Sequence, residues 1–195
     1  MSFTSKKKVK FIPTPIFSEL KISQYKSQKN KRKWILFVGR LDDNKNPEFA
    51  IEGFINSSYF EHGFHLHLFG EGILKLDLIR KYSTFIEKIH FHGNCPNNEV
   101  LNYMGSSDAL IITSVSEGFP KVAIEANEMG CKVVSPVYNS LQPYRNYLFP
   151  IEEYSVQGVS TALEKAFKAP KFSKIPFFEE YEVLKLYEKD YHELS

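Results

Sequence analysis

A chain of 195 residues with a 43 % apolar share has enough core for one domain and an ordinary globular composition. No apolar run approaches the roughly 20 residues that span a bilayer, and residues 1–8 lack the apolar stretch of a signal peptide. Only two cysteines, Cys95 and Cys131, are present and neither sits in a CxxC pair, which favours a reducing, cytoplasmic setting.

The formal net charge of +2 conceals an uneven distribution. Residues 1–33 carry ten Lys/Arg against one acid, and the remainder is net acidic. This basic head reads either as a solvated linker or as a patch for an anionic membrane surface or nucleic acid. No aromatic residue interleaves with the lysines after Lys26, which argues against a nucleic-acid platform. Residues 10–15 are extended and proline-punctuated, as a connector is.

The folded domain is expected to begin at Trp34 and run to residue 176. Trp34–Val38 is a buried strand. Asn46 caps a helix that has Pro47 in its first position and ends near Ser58. His65–Phe69 is a strand stopped by Gly70-Glu71-Gly72, and residues 73–82 form a helix with Leu74, Leu78 and Ile79 at helical spacing. Residues 89–92 are a strand, 97–105 a helix and 109–113 a strand. Residues 120–129 are a helix stopped by Gly130, and Lys132–Ser135 is a fifth strand. Residues 138–149 show no period. Residues 156–169 return to helix, 170–176 are extended, and 177–194 form a last helix with a stripe of Phe177, Tyr181, Leu184, Tyr187, Tyr191 and Leu194. Strands alternating with helices predict an α/β, Rossmann-like three-layer αβα domain with a parallel sheet. Residues 177–195 would pack back on that domain or on a further one.

The chemistry concentrates in two places. Ser116-Glu117-Gly118-Phe119-Pro120-Lys121 leads into a short apolar helix carrying Glu125, with seven residues between the two glutamates. Gly39-Arg40, followed by Lys45, leaves the first strand. Two cations and two anions on loops leaving strands suit a sugar joined to a diphosphate, since cations take phosphates and carboxylates take hydroxyls. Gly118 and Phe119 open the helix at Pro120 and Lys121, and the helix dipole favours an anion there.

In order along the chain, Gly39-Arg40-Leu41, Lys45, Phe69-Gly70-Glu71-Gly72, Phe91-His92-Gly93, Ser116-Glu117-Gly118-Phe119-Pro120 and Ile124-Glu125-Ala126 follow a family pattern. They resemble the C-terminal, donor-binding half of a GT-B retaining glycosyltransferase of the group-1 (family 4) type, of the kind that builds bacterial surface polysaccharides such as O-antigen and lipopolysaccharide. The resemblance covers about residues 10–195. It implies that Arg40 and Lys45 hold the diphosphate and that Glu117 accepts from sugar hydroxyls. It further implies that Glu125 takes the ribose, and that Gly70, Gly72, Asn94 and Cys95 lie near base and phosphates. The implied ligand is a UDP- or GDP-linked sugar, with no cofactor and no metal. The implied partner is an N-terminal acceptor-binding domain that carries any contact with the membrane, and isolated residues 1–195 would bind donor without turnover. The chain departs from the pattern at Asn46, where glycine is usual, at Lys121, and at residues 139–145, which replace a glycine-rich stretch.

Alternatives are a non-catalytic nucleotide-binding module of the same fold, and a nucleic-acid or membrane binder driven by the basic head. His65-Leu66-His67 and His90-Phe91-His92 look like metal pairs, but no Cys or Asp completes a site. The glycines of Gly70-Glu71-Gly72 lack the third glycine of a dinucleotide fingerprint. Glu117 and Glu125 resemble a glycosidase pair, yet their setting beside Arg40 and Lys45 favours nucleotide-sugar binding.

Overall fold

The computed structural model describes residues 32–169. Most of the basic head, the proline-punctuated connector, the extended stretch at 170–176 and the amphipathic helix expected at 177–194 lie outside the described residues.

Six parallel strands form one sheet in the order β3-β2-β1-β4-β5-β6. They are β1 Trp34–Val38, β2 His65–Phe69, β3 Ile89–Gly93, β4 Ala109–Ile111, β5 Lys132–Ser135 and β6 Phe149–Pro150. The helices are α1 Pro47–Ile55, α2 Ser58–Glu61, α3 Lys75–Lys81, α4 Asn97–Ser106, α5 Lys121–Glu128 and α6 Val156–Lys168. Parallel strands need crossovers, and helices placed on both faces leave the central strands with no wet side. Ile35, Leu36 and Phe37 of β1 are accordingly all buried, although they point alternately to opposite faces.

On one face, Ile35, Phe37, Leu66 and Leu68 pack with Ala50, Ile51 and Phe54 of α1 and Val159, Leu163 and Ala166 of α6. Gly53 lets α1 and α6 touch, because a Cβ there would lie 2.3 Å from Val159 Cγ1. The other face carries an aromatic layer. His67 sits 4.7 Å, ring to ring, from Trp34 and 5.6 Å from Tyr103 of α4, and Phe69 stacks 4.4 Å from His92. Because β2 pairs with β3 so that His67 lies opposite His90, their alternating histidines share this face. His65 Nδ1 meets His90 Nε2 at 3.0 Å, and His67 Nδ1 meets His92 Nε2 at 2.9 Å.

Several element ends differ from the sequence expectation. The first helix stops at Ile55, where the Asn56 backbone N–H closes on Glu52 and Phe54, and a separate turn of helix follows at Ser58–Glu61. Asn46 does precede α1, but in the left-handed region (φ 46°, ψ 59°) and without a side-chain cap bond. Asn is among the few L-residues that enter this region readily, which explains how it can stand where the resemblance leads one to expect glycine. The third helix begins at Lys75 rather than at residue 73. The fourth strand ends at Ile111, two residues early. The aperiodic segment 138–149 consists of consecutive 3-10 turns over Asn139–Tyr147, followed by the short edge strand β6, which periodicity had not revealed.

The strand order reverses direction between β1 and β4. In an open parallel sheet the loops diverge at such a point and leave a crevice outside the carboxyl ends of the strands. The β1–α1 loop (39–46) and the β4–α5 loop (112–120) border it.

Candidate functional site

Lys45 and Glu117 meet at this crevice: Lys45 Nζ donates to Glu117 Oε1 in an ion pair. Their side chains are 25 % and 13 % exposed, so the charges are largely removed from water without being sealed off. Ser114 Oγ donates to the same carboxylate oxygen at 2.6 Å.

The loop that presents Lys45 is held from within. Asp42 Oδ1 accepts from the Lys45 backbone N–H at 2.9 Å, and Asp42 O accepts from that of Asn46 at 2.9 Å. It is also tied to β4. Thr113 Oγ1, fully buried, donates to the carbonyls of Lys45 (3.1 Å) and Asn46 (2.7 Å), and Val115 N donates to Asn44 O at 2.7 Å. Past the end of β4 the carbonyls of Thr113 and Ser114 turn to side chains instead of the ladder. Tyr154 Oη donates to Thr113 O and Tyr138 Oη to Ser114 O, each at 2.6 Å. Burial, reinforced by the charge of Glu117, pushes the Tyr138 hydroxyl well above the ordinary tyrosine range, so it stays a proton donor.

Arg40 lies at the start of the same loop. Its side chain is 72 % exposed and pairs with Asp42 (Nε to Oδ2, 3.0 Å). It borders a cleft of about 250 Å³ whose walls include Phe69, Gly70, Asn94, Cys95 and Val100, at the carboxyl ends of β1, β2 and β3. Of the glycines the sequence singles out here, Gly70 has φ +136°, and a Cβ on it would lie 2.0 Å from Gly39 O. A Cβ on Gly72 would lie 2.2 Å from Leu41 O. Both positions allow the β2–α3 loop to lie directly on the β1–α1 loop, where Gly39 N donates to Phe69 O and Leu41 N to Glu71 O. Burial raises the thiol of Cys95, and Glu99 adds to the effect.

On the other side of the crevice, Gly118 opens onto free space, and Phe119 and the buried Pro120 lead into α5. Lys121 is exposed in the first turn, and Glu125 follows one turn later, half-buried. Desolvation pushes the Glu125 carboxyl above its usual range, and the charge of Lys121 partly offsets this. A carboxylate held in such a place gains from hydrogen-bond donors brought by a ligand.

The structure thus joins Lys45 to Glu117 directly and sets Arg40, Gly70, Asn94 and Cys95 around a neighbouring cleft. Gly118, Phe119, Pro120, Lys121 and Glu125 lie along the entrance to α5. Sequence reasoning passed over Asp42, Thr113, Ser114, Tyr138 and Tyr154. Consecutive hydroxyl residues at the end of an apolar strand were a signal for Thr113 and Ser114. Nothing local marks Tyr154, which arrives from more than forty residues downstream.

An open parallel sheet with a charged crevice at its switch point defines a Rossmann-like domain. Residues 19–174 match the family described as Glycosyl transferases group 1, and the chain belongs to that family. Among characterised relatives, it is 30 % identical over 135 residues to the GalNAc-alpha-(1->4)-GalNAc-alpha-(1->3)-diNAcBac-PP-undecaprenol alpha-1,4-N-acetyl-D-galactosaminyltransferase of Campylobacter jejuni subsp. jejuni. That match takes in 68 % of this chain but 37 % of the enzyme, so the chain spans about a third of the relative's length.

Among solved structures, the lipopolysaccharide outer core galactosyltransferase WaaB superposes with a TM-score of 0.69 at 19 % identity, over 88 % of this chain and 52 % of that one. The C-terminal domain of the glycosyl transferase group 1 family protein LpcC from Francisella tularensis superposes with a TM-score of 0.59 at 20 % identity, over 77 % of this chain and 84 % of that one. These likenesses establish the fold.

Proposed function

We propose that this chain is the donor-binding domain of a retaining glycosyltransferase and takes a nucleoside-diphosphate sugar at the crevice between the β1–α1 and β4–α5 loops. The observation that carries this reading is the Lys45–Glu117 pair at the switch point. One cation and one carboxylate, side by side and partly desolvated, match the junction between a phosphate and a sugar. Lys45 and Arg40 meet the diphosphate, Glu117 accepts from sugar hydroxyls, and Glu125 accepts from the ribose. The cleft walled by Gly70, Asn94 and Cys95 receives the base.

In transfer, the bond between the anomeric carbon and the phosphate oxygen breaks, and its electron pair leaves with the diphosphate. The two cations stabilise the charge that grows there, a role that needs no metal ion. An acceptor hydroxyl then bonds to the anomeric carbon on the same face and gives its proton to the departing phosphate oxygen, so configuration is kept. By analogy with the Campylobacter enzyme, the acceptor is a lipid-linked oligosaccharide. It is presented by a separate acceptor-binding domain at the cytoplasmic side of a membrane. Alignment of the two reactants supplies much of the rate, so residues 1–195 alone bind donor and turn over little.

Calorimetry with UDP, GDP and their hexose conjugates tests this. Saturable binding of one nucleotide series, lost in Lys45→Ala and weakened in Arg40→Ala and Glu125→Ala, is the expected result. A folded chain with no affinity for any nucleotide would overturn it. Steeply salt-dependent binding to DNA or anionic vesicles in place of nucleotide would favour the basic head as the functional element.

A further inference from the structure

The end of β4 carries a brace that the family motifs do not contain. Strand pairing stops at Ile111, with one further ladder-like bond from Ile112 N to Val134 O at 2.8 Å. The next two carbonyls would otherwise lose their partners inside a buried region, since Thr113 and Ser114 are 0 % and 2 % exposed. Two tyrosine hydroxyls satisfy them: Tyr154 reaches Thr113 O and Tyr138 reaches Ser114 O. The side chains of the same two residues point to the site. Thr113 Oγ1 holds the carbonyls of Lys45 and Asn46, and Ser114 Oγ holds Glu117 Oε1. Asn46 Nδ2 closes the circuit by donating to Tyr154 Oη at 3.1 Å.

We infer that Thr113, Tyr138 and Tyr154 are positioning residues that clamp the frayed end of β4 and so hold the Lys45 ammonium and the Glu117 carboxylate in register before any ligand arrives. Each hydroxyl acts through backbone or through Ser114, and none touches the reacting atoms. Tyr138 adjoins residues 139–145, the stretch that departs from the usual glycine-rich pattern. The 3-10 turns at Asn139–Tyr147 therefore take over, through the tyrosine at their threshold, a supporting role at the sugar end of the crevice. Tyr154 stands just before α6, 4.8 Å ring to ring from Phe49 of α1, so its hydroxyl is aimed from a packed base. Buried polar circuits of this kind rigidify a site only when every member is satisfied, and each hydroxyl here has both a donor role and a fixed partner.

The importance of the pair rests on the function proposed above, but the clamp is testable without nucleotide. The experiment compares the amine-labelling rate of Lys45 by acetylation and mass spectrometry in wild type, Thr113→Val, Thr113→Ser, Tyr154→Phe and Tyr138→Phe, all in the full chain. Exposed Lys165 and Lys168 serve as internal references, and circular dichroism confirms folding. The expected result is that Lys45 labels slowly in wild type and about fivefold faster relative to the references in Thr113→Val and Tyr154→Phe, the weight of one neutral hydrogen bond. Thr113→Ser restores protection.

In parallel calorimetry, the tyrosine variants weaken nucleotide-sugar binding more than binding of the bare nucleoside diphosphate. Folded variants whose Lys45 stays as protected as in wild type overturn the clamp. If Thr113→Val fails to fold, Tyr154→Phe carries the same test, since that side chain is 44 % exposed and packs at the rim. Absence of nucleotide binding in wild type refutes the functional reading, while the labelling result still decides the clamp.

Discussion

The imidazole layer on the α4 face makes the domain acid-sensitive in a way that one side chain dominates. His67 is 6 % exposed, and its Nε2 has no partner among the described residues. Burial first, and then the neighbouring charges of His90, His92 and His65, lower its pKa from 6.5 to about 3. The folded protein therefore holds His67 neutral across a range in which the unfolded chain protonates it. Stability is fully present above pH 6.5 and is lost progressively as the pH falls from 6.5 towards 3. Between about pH 7.5 and about pH 5 the unfolded state gains nearly one proton at this site, which costs about 2 kcal/mol of stability at 1.36 kcal/mol per pKa unit.

The shifts of His90 and His92 are also downward, each led by burial, and add to the loss in wild type. His67→Phe keeps an aromatic ring against Trp34, His90 and Tyr103 and removes the titrating group. Urea denaturation of both proteins at pH 7.5, 6.5, 5.5 and about 5 reads the difference, with the linear slope checking that the transition remains two-state. Wild type should lose about 2 kcal/mol more than the variant over this range. Parallel stability curves for the two proteins would refute the claim that a buried neutral His67 sets the acid limb.

Other expectations bear on the site and its frame. Glu117→Gln removes the anion beside Lys45, so affinity for the bare nucleoside diphosphate should hold or rise. Preference for the sugar nucleotide over the bare one should fall by about tenfold or more, the worth of a charge-assisted hydrogen bond; competition calorimetry reads the ratio, and an unchanged ratio removes Glu117 from sugar recognition. Gly53→Ala forces a methyl to within 2.3 Å of Val159 Cγ1 and should destabilise the fold by about 1–3 kcal/mol in urea titration. Gly72→Ala meets the Leu41 carbonyl at 2.2 Å, so it should disturb the β1–α1 loop and weaken nucleotide binding as well as stability. Asp42→Asn breaks an ion pair whose arginine is 72 % exposed, and the salt-bridge part of its effect on stability should stay below about 1 kcal/mol.

The alternation of apolar strands with helical stretches was legible along the chain, because burial on both sides of a parallel sheet leaves near-continuous runs such as Ile35-Leu36-Phe37, and helices leave their own period. Strand limits and helix ends were less legible where tertiary bonds override local preference. β4 stops at Ile111 and the carbonyls of Thr113 and Ser114 beyond it go to tyrosines, and β6 is a two-residue edge strand too short to show a period. Asn46 was recognisable as the residue before α1, but its bond to Tyr154 depends on a residue 108 positions away.

The amino-acid order alone thus determined the αβα architecture and which side chains carry charge at strand ends, since both follow from local periodicity and residue chemistry. Only the folded chain decided their partners. Lys45 found Glu117 across 72 positions because the strand order reverses between β1 and β4 and brings those two loops to one crevice, while Arg40, five residues from Lys45, turned to Asp42 and the neighbouring cleft. Separation along the chain does not encode proximity across a sheet, and the pairing of strands does.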